Sequence, residues 1–167
     1  QRFSDVMFIV DVVSSFSGTK IEFDALGIDL MLAGTQKALA MPPGLAVFTC
    51  SEAALERAKG LKDRGYYFDL LEFEKNAGKN MTPSTPSIGH VYALKAKLAD
   101  IFAEGQDNRF ARHRHLAEMT RDWVRKHGFG LFPEEGFESV TLTCVNNGAK
   151  PNGRVIDALK LQSLMRE

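Results

Sequence analysis

The stretch Ile28-Asp29-Leu30-Met31-Leu32-Ala33-Gly34-Thr35-Gln36-Lys37-Ala38-Leu39-Ala40-Met41-Pro42-Pro43-Gly44-Leu45-Ala46-Val47-Phe48 decides the fold. Its first part, Ile28 to Ala33, is a near-continuous apolar run, the pattern of a strand in a sheet covered by helices on both faces. Leu45 to Phe48 is a further strand candidate. The connection between them holds Pro42-Pro43-Gly44 and has little room for a crossover helix, which usually needs about a dozen residues or more. An antiparallel neighbour is expected at this point, in an otherwise parallel sheet.

Upstream, Val6-Met7-Phe8-Ile9-Val10 is a second run with the look of a doubly buried strand, and Asp11 closes it. Downstream, Ser51 is placed to cap a helix with Glu52 in its first turn and Gly60 at its end. Arg64 to Lys79 is mixed and predicts no single element. Pro83 and Pro86 bracket an extended loop. After it, Ile88, Val91, Tyr92, Lys95, Leu98, Ile101 and Phe102 recur at helical spacing. Gly105 interrupts that helix and Asp107 can cap another, whose apolar face is Phe110, Leu116, Met119, Trp123 and Val124, with Gly128 as its stop. Val140, Leu142 and Cys144 then alternate with Thr141 and Thr143, the pattern of a strand with one buried face. A last helix is expected from about Asn152, with Val155, Ile156, Leu159 and Met165 inward. The change from doubly buried to half-buried strands puts a domain boundary near Gly105. The fold class is α/β.

Composition excludes several functions. Lys plus Arg (21) balance Asp plus Glu (21), so no net field draws nucleic acid or an anionic membrane. The basic run Arg112 to His115 reads as a solvated helix face. No apolar stretch approaches the roughly 20 residues of a membrane helix, and the polar start has no signal-peptide pattern. Cys50 and Cys144 lie far apart, which reads as two buried thiols in a reducing, cytoplasm-like compartment. His90, His113, His115 and His127 lack metal-ligand spacing and read as structural. The chain does not begin with Met, and the early strand has nothing before it to cover its faces. It reads as a fragment.

Two residues carry candidate chemistry. Asp11 ends a parallel strand, the edge at which open α/β sheets bind ligands. A carboxylate there is costly unless a cation compensates it; the alternative is an Asp that caps the neighbouring loop. Lys37 follows the next strand among small and apolar residues, which would leave its amine partly desolvated and able to attack an aldehyde. The alternative is a solvated loop lysine.

The segments Val10-Asp11-Val12-Val13-Ser14-Ser15-Phe16-Ser17-Gly18, Gly27-Ile28-Asp29, Gly34-Thr35-Gln36-Lys37-Ala38-Leu39 and Pro42-Pro43-Gly44-Leu45 together resemble the class V aminotransferases, above all the alanine–glyoxylate and serine–glyoxylate (or serine–pyruvate) members. Ser84-Thr85-Pro86 followed by Tyr92-Ala93-Leu94 continues the likeness, which thins after Leu98. The resemblance implies part of a pyridoxal-phosphate fold type I large domain over residues 1–104, a mostly parallel sheet between helices, and the start of a small α+β C-terminal domain over 105–167. It implies pyridoxal 5'-phosphate as cofactor, Lys37 as its Schiff-base lysine and Asp11 as the partner of its pyridine nitrogen. Val13 would pack on the ring and Gln36 would line the pocket. Ser84 and Thr85, or Thr82 instead, would reach the cofactor phosphate of a neighbouring subunit in a homodimer. The substrates would be a small amino acid and a small 2-oxo acid. Cysteine desulfurases and lyases on the same scaffold typically carry His before the lysine, so Gln36 argues against them. The family's glycine-rich phosphate turn and second ring-stacking residue would precede Gln1, and its carboxylate-binding arginine would follow Glu167. A catalytically inert fragment is therefore the third reading.

Overall fold

The structure is a computed structural model that describes residues 5–146, 153 and 155–166. The chain divides into two compact units, Gln1–Gly105 and Gln106–Glu167.

The first unit is built on a three-stranded sheet of β1 (Ile9–Asp11), β2 (Leu30–Gly34) and β3 (Ala46–Cys50), in that order. β1 runs parallel to β2 with Ile9 opposite Leu30 and Asp11 opposite Leu32. β3 is antiparallel to β2, from Leu30 opposite Cys50 to Gly34 opposite Ala46, as the short proline-containing connection requires. Asp29, only 7% exposed, sets the entry to β2. Its carboxylate accepts from the Phe8 amide at 2.8 Å and from the Ser51 hydroxyl at 3.1 Å. Ser51 in turn accepts from the Ala54 amide and caps α1 (Glu52–Lys59). One buried carboxylate thus ties two strands to the first helix.

The segment that predicted no element contains α2 (Leu70–Ala77), capped by Asp69 through the Leu71 amide. Phe73 of α2 meets Phe48 of β3 edge to face, with ring centroids 5.0 Å apart. α3 (Ile88–Glu104) matches the expected period and stops at Gly105, whose φ of 84° no side-chain-bearing residue adopts easily.

The sheet is less covered than its sequence implies. Val6 to Phe8 lie outside the three-residue β1, and Ile9 is 61% exposed. β2 is half-buried over Leu30 to Leu32 and closed only at Ala33 and Gly34. The apolar runs mark surface that packing would bury, and within this chain only part of it is packed. Hollows of about 120 Å³ (beside Val12, Met31 and Val47) and about 200 Å³ (between Ile9, Leu30 and Ala54) lie against the sheet.

The second unit holds α4 (Gln106–Lys126), a two-residue pair β4 (Gly130–Leu131) and β5 (Val145–Asn146), and α5 (Ala158–Leu164). α4 begins at Gln106, so Asp107 lies inside it rather than capping it. Val124 and Ala117 are buried, whereas Leu116, Met119 and Trp123 of the expected apolar face are about half exposed, Trp123 stacking on His127 instead. The alternating segment Val140 to Cys144 forms no strand; β5 begins at Val145, one residue after the Cys144 carbonyl accepts from the Phe132 amide at 2.9 Å, and Leu142 and Cys144 are exposed. The last helix is shorter than expected and capped by Asp157. Val155, Leu159 and Met165 are exposed, not inward, and Asn152 lies outside the described residues.

Candidate active site

Lys37 sits on the connection between β2 and β3, whose two ends are held together by Thr35. Thr35 is fully buried. Its amide donates to the Leu45 carbonyl at 3.1 Å, extending the β2–β3 ladder by one residue. Its hydroxyl donates to the carbonyls of Pro42 (3.0 Å) and Leu45 (3.1 Å). Its carbonyl accepts from Met41 at 3.1 Å. Inside this clasp the Lys37 carbonyl accepts from Ala40 at 2.8 Å, in a tight turn that puts Ala40 at φ 53°. That left-handed backbone costs an alanine about 1–2 kcal/mol, and the buried side chains of Leu39 and Met41 hold it in place.

The apolar neighbours of Lys37 therefore point inward and leave the lysine outside. Lys37 and Gln36 are both exposed, so the expected partial desolvation of the amine is not present in this chain. Gln36 folds back over Gly34, where an added Cβ would lie 2.6 Å from Gln36 Oε1. Glycine at this strand end is what allows the amide to lie across the backbone.

Asp11 is likewise exposed, not buried. Its Oδ1 accepts from the Val13 amide at 2.8 Å, the loop-capping role weighed as the alternative. Val13, half-buried, opens the turn that follows, where Ser15 and Phe16 amides donate to the Val12 carbonyl. Because β1 and β2 are parallel and adjacent, Asp11 and the Lys37 connection lie at the C-terminal edge of neighbouring strands, whose axes in a sheet are about 4.8 Å apart.

Ser84 and Thr85 are exposed on the proline-bracketed loop before α3. The Thr82 hydroxyl donates to the Ser84 carbonyl at 2.6 Å and so braces the loop itself. Two residues shape this region in ways the sequence reading did not specify, Thr35 unweighed and His90 read only as structural. One is Thr35, whose only signal is a hydroxyl on a β-branched side chain at a strand end. The other is His90, whose ring meets Ser87 and Pro43 and whose spacing of three from Ser87 on one helix is the available sign.

Elsewhere, His113 Nδ1 lies 3.0 Å from the Arg109 carbonyl and His127 Nδ1 lies 2.8 Å from the Trp123 carbonyl, ordinary contacts within α4 and its end. Among the described residues no group of three His, Cys, Asp or Glu side chains could hold a metal, and no helix is long and apolar enough to cross a membrane. Cys50 is half-buried, not fully buried, and its thiol is pushed up by burial and further by the charge of Glu74.

Comparison with known proteins places this geometry in a family. The family model described as Aminotransferase class-V matches residues 1–148. An uncharacterized aminotransferase of Methanocaldococcus jannaschii is 44% identical over 83% of this chain and 37% of its own length. A serine–glyoxylate aminotransferase of Arabidopsis thaliana is 38% identical over 83% of this chain and 35% of its own. The crystal structure of an alanine–glyoxylate aminotransferase from Nostoc sp. superposes with a TM-score of 0.79 at 31% identity, covering 86% of this chain and 40% of that one. The chain thus spans about two fifths of the length of the relatives it matches. Its α/β architecture is that of part of the fold type I large domain. The match over residues 1–148 and the 44% identity to an aminotransferase show that this chain belongs to the class V aminotransferase family.

Proposed function

We propose that these residues are the lysine-bearing part of a pyridoxal-phosphate-dependent transaminase that moves an amino group between alanine or serine and glyoxylate or pyruvate. The observation that supports this most is the shared sheet edge: Asp11 and the Lys37 connection end adjacent parallel strands. The residues present fit the cofactor. An exposed primary amine and an exposed carboxylate, one of whose oxygens is already turned by the Val13 amide, face solvent at that edge. The relatives whose names pair an amino acid with glyoxylate support the substrate class.

When bound, pyridoxal phosphate supplies an aldehyde that takes up the amino group and an electron-poor ring that receives the electron pair left at the substrate Cα. Lys37 Nζ would hold the cofactor through its aldehyde and, when free, would carry the proton that leaves the substrate Cα. The Asp11 carboxylate would pair with the ring nitrogen and favour its protonated form, and Val13 and Gln36 would bound the pocket. Ser84 and Thr85, with Thr82 committed to its own loop, offer hydroxyls to a phosphate in the second subunit of a homodimer. Residues 1–104 are then the C-terminal part of the cofactor-binding domain and 105–167 the beginning of the small domain. The two free cysteines fit a reducing, cytoplasm-like compartment.

One observation favours a second reading, that the 167 residues alone bind no cofactor: Asp11, Gln36 and Lys37 are all exposed. One experiment separates the readings. Pyridoxal phosphate is added, borohydride fixes it to amines, and the labelled lysines are mapped. A label concentrated on Lys37 and abolished by Lys37→Ala supports the assignment. Even labelling of all lysines supports the inert reading. Full colour and label in Lys37→Ala would refute Lys37 as the cofactor lysine. If Lys37 carries the label, a parallel sample with cofactor and no borohydride should convert alanine and glyoxylate to pyruvate and glycine in equal amounts.

A further inference from the structure

His90 stands in the first turn of α3 and joins the loop that ends at Ser87 to Pro43, which lies 47 residues from the histidine in sequence. Its Nε2 lies 3.0 Å from the Pro43 carbonyl and its Nδ1 lies 2.8 Å from the Ser87 hydroxyl. A carbonyl can only accept, so Nε2 carries a proton and donates, and in the neutral ring Nδ1 then accepts from Ser87 Oγ. Ser87 occupies the N-cap of α3 yet makes no side-chain capping bond. A capping hydroxyl steadies the start of a helix, and here the hydroxyl is turned to the imidazole instead.

The ring also rests on the backbone. A Cβ at Gly44 would lie 2.8 Å from His90 Cε1 and Nε2, and Gly44 has φ 134°. Only glycine permits both the approach and the conformation. Pro42 and Pro43 have no amide donors, so this segment can be anchored only through its carbonyls and side chains. Thr35 takes the Pro42 carbonyl from within the connection, and His90 takes the next one from α3. Through Ser87 the same ring is attached to the residue that follows Pro86, the end of the loop bearing Ser84 and Thr85.

We propose that His90 is a positioning residue that locks the Lys37 connection to the Ser84–Thr85 loop. This rests on the reading of Lys37 and the two hydroxyls as cofactor-binding groups. In the homodimer that reading entails, one imidazole links the lysine of its own site to the phosphate-binding loop of the neighbouring site.

Amide hydrogen exchange and lysine mapping on the full 167-residue chain test it. His90→Leu removes both hydrogen bonds. Gln at this position can set an amide donor where Nε2 stands, and Ser87→Ala removes one bond mildly should His90→Leu fail to fold. Exchange in His90→Leu is expected to rise about tenfold in residues 36–45 and 82–90, as the loss of a net hydrogen bond implies, while α1 is unchanged. His90→Gln restores 36–45, and Ser87→Ala loosens 82–90 alone. The share of borohydride-trapped pyridoxal phosphate found on Lys37 falls severalfold in His90→Leu and recovers in His90→Gln. Unchanged exchange in both loops, equal acceleration in α1, failure of Gln to rescue, or an unaltered Lys37 share overturns the proposal. A wild-type chain with no label at Lys37 sinks the cofactor reading instead, while the exchange data still decide whether the two loops are coupled.

Discussion

Replacing Thr35 by Val isolates what the hydroxyl does at the base of the Lys37 connection. The shape is nearly kept, and a group that is fully buried loses its donor. One proton is shared between the Pro42 and Leu45 carbonyls, at 3.0 and 3.1 Å. Leu45 keeps a partner, because the Thr35 amide also donates to it at 3.1 Å. Pro42 does not. The net loss is then about 1 kcal/mol for one hydrogen bond, rising toward 3 kcal/mol if the orphaned carbonyl stays dry. Pro42 is exposed, so water reaches it and the lower half of that range applies. A cost of about 1.5 kcal/mol lowers a urea midpoint by roughly 0.5–1.5 M for m-values of about 1–3 kcal/mol/M. Urea denaturation of wild type, Thr35→Val and Thr35→Ser, with hydrogen exchange across residues 36–45, gives the reading. Ser keeps the hydroxyl and gives up one methyl, about 0.8 kcal/mol, so it should lower stability without opening the connection. Val should open the connection first. A Thr35→Val chain with wild-type midpoint and wild-type exchange in residues 36–45 would refute the claim that this hydroxyl holds the lysine turn.

Three further outcomes follow from the contacts of Asp29, Asp69 and the two cysteines. Asp29→Ala strands the Phe8 amide and the Ser51 hydroxyl, and should cost about 2–4 kcal/mol by chemical denaturation; a loss under about 0.5 kcal/mol counts against the carboxylate as the tie between strands and α1. The Arg64 side chain, helped by the Leu71 amide, holds the Asp69 carboxyl below its usual range. Its contribution is therefore fully present above the unfolded value near about pH 4 and drains away as pH falls through the lower folded value; an acid titration of stability should show this dip, and Asp69→Asn should flatten it. Cys144 is exposed while burial pushes the Cys50 thiol up, so limiting thiol reagent near neutral pH should mark Cys144 first, and equal labelling would contradict the burial of Cys50.

The parts of the fold legible in the sequence are those fixed by short-range chemistry. The antiparallel turn between β2 and β3 follows from Pro42-Pro43-Gly44, and α1 follows from Ser51, Glu52 and Gly60. α2 was hidden because Arg64 and Asp69, which organise its start, pair with each other rather than announce an apolar face. The alternation Val140-Leu142-Cys144 misled for another reason: a period of two records a preference for extended backbone, and pairing partners decide whether a ladder forms. For the site, the positions of Asp11 and Lys37 at strand ends were readable, and their exposure was not. Small apolar neighbours predict desolvation only if they share the lysine's side of the turn, whereas Leu39 and Met41 bury themselves and leave Lys37 outside.

That exposure bears on how the region could act. Ile9, Phe48, Tyr92 and Phe102 are 61%, 42%, 70% and 67% exposed, apolar side chains that further packing would bury. The relatives carry more than twice this length of chain, so cover for these faces has an available source in further chain or a second copy. The turn holding Lys37 does not wait for that cover. Thr35, Leu39, Met41 and His90 define it with bonds and contacts made inside the first unit. Added cover would then change the solvent around the amine more than its place.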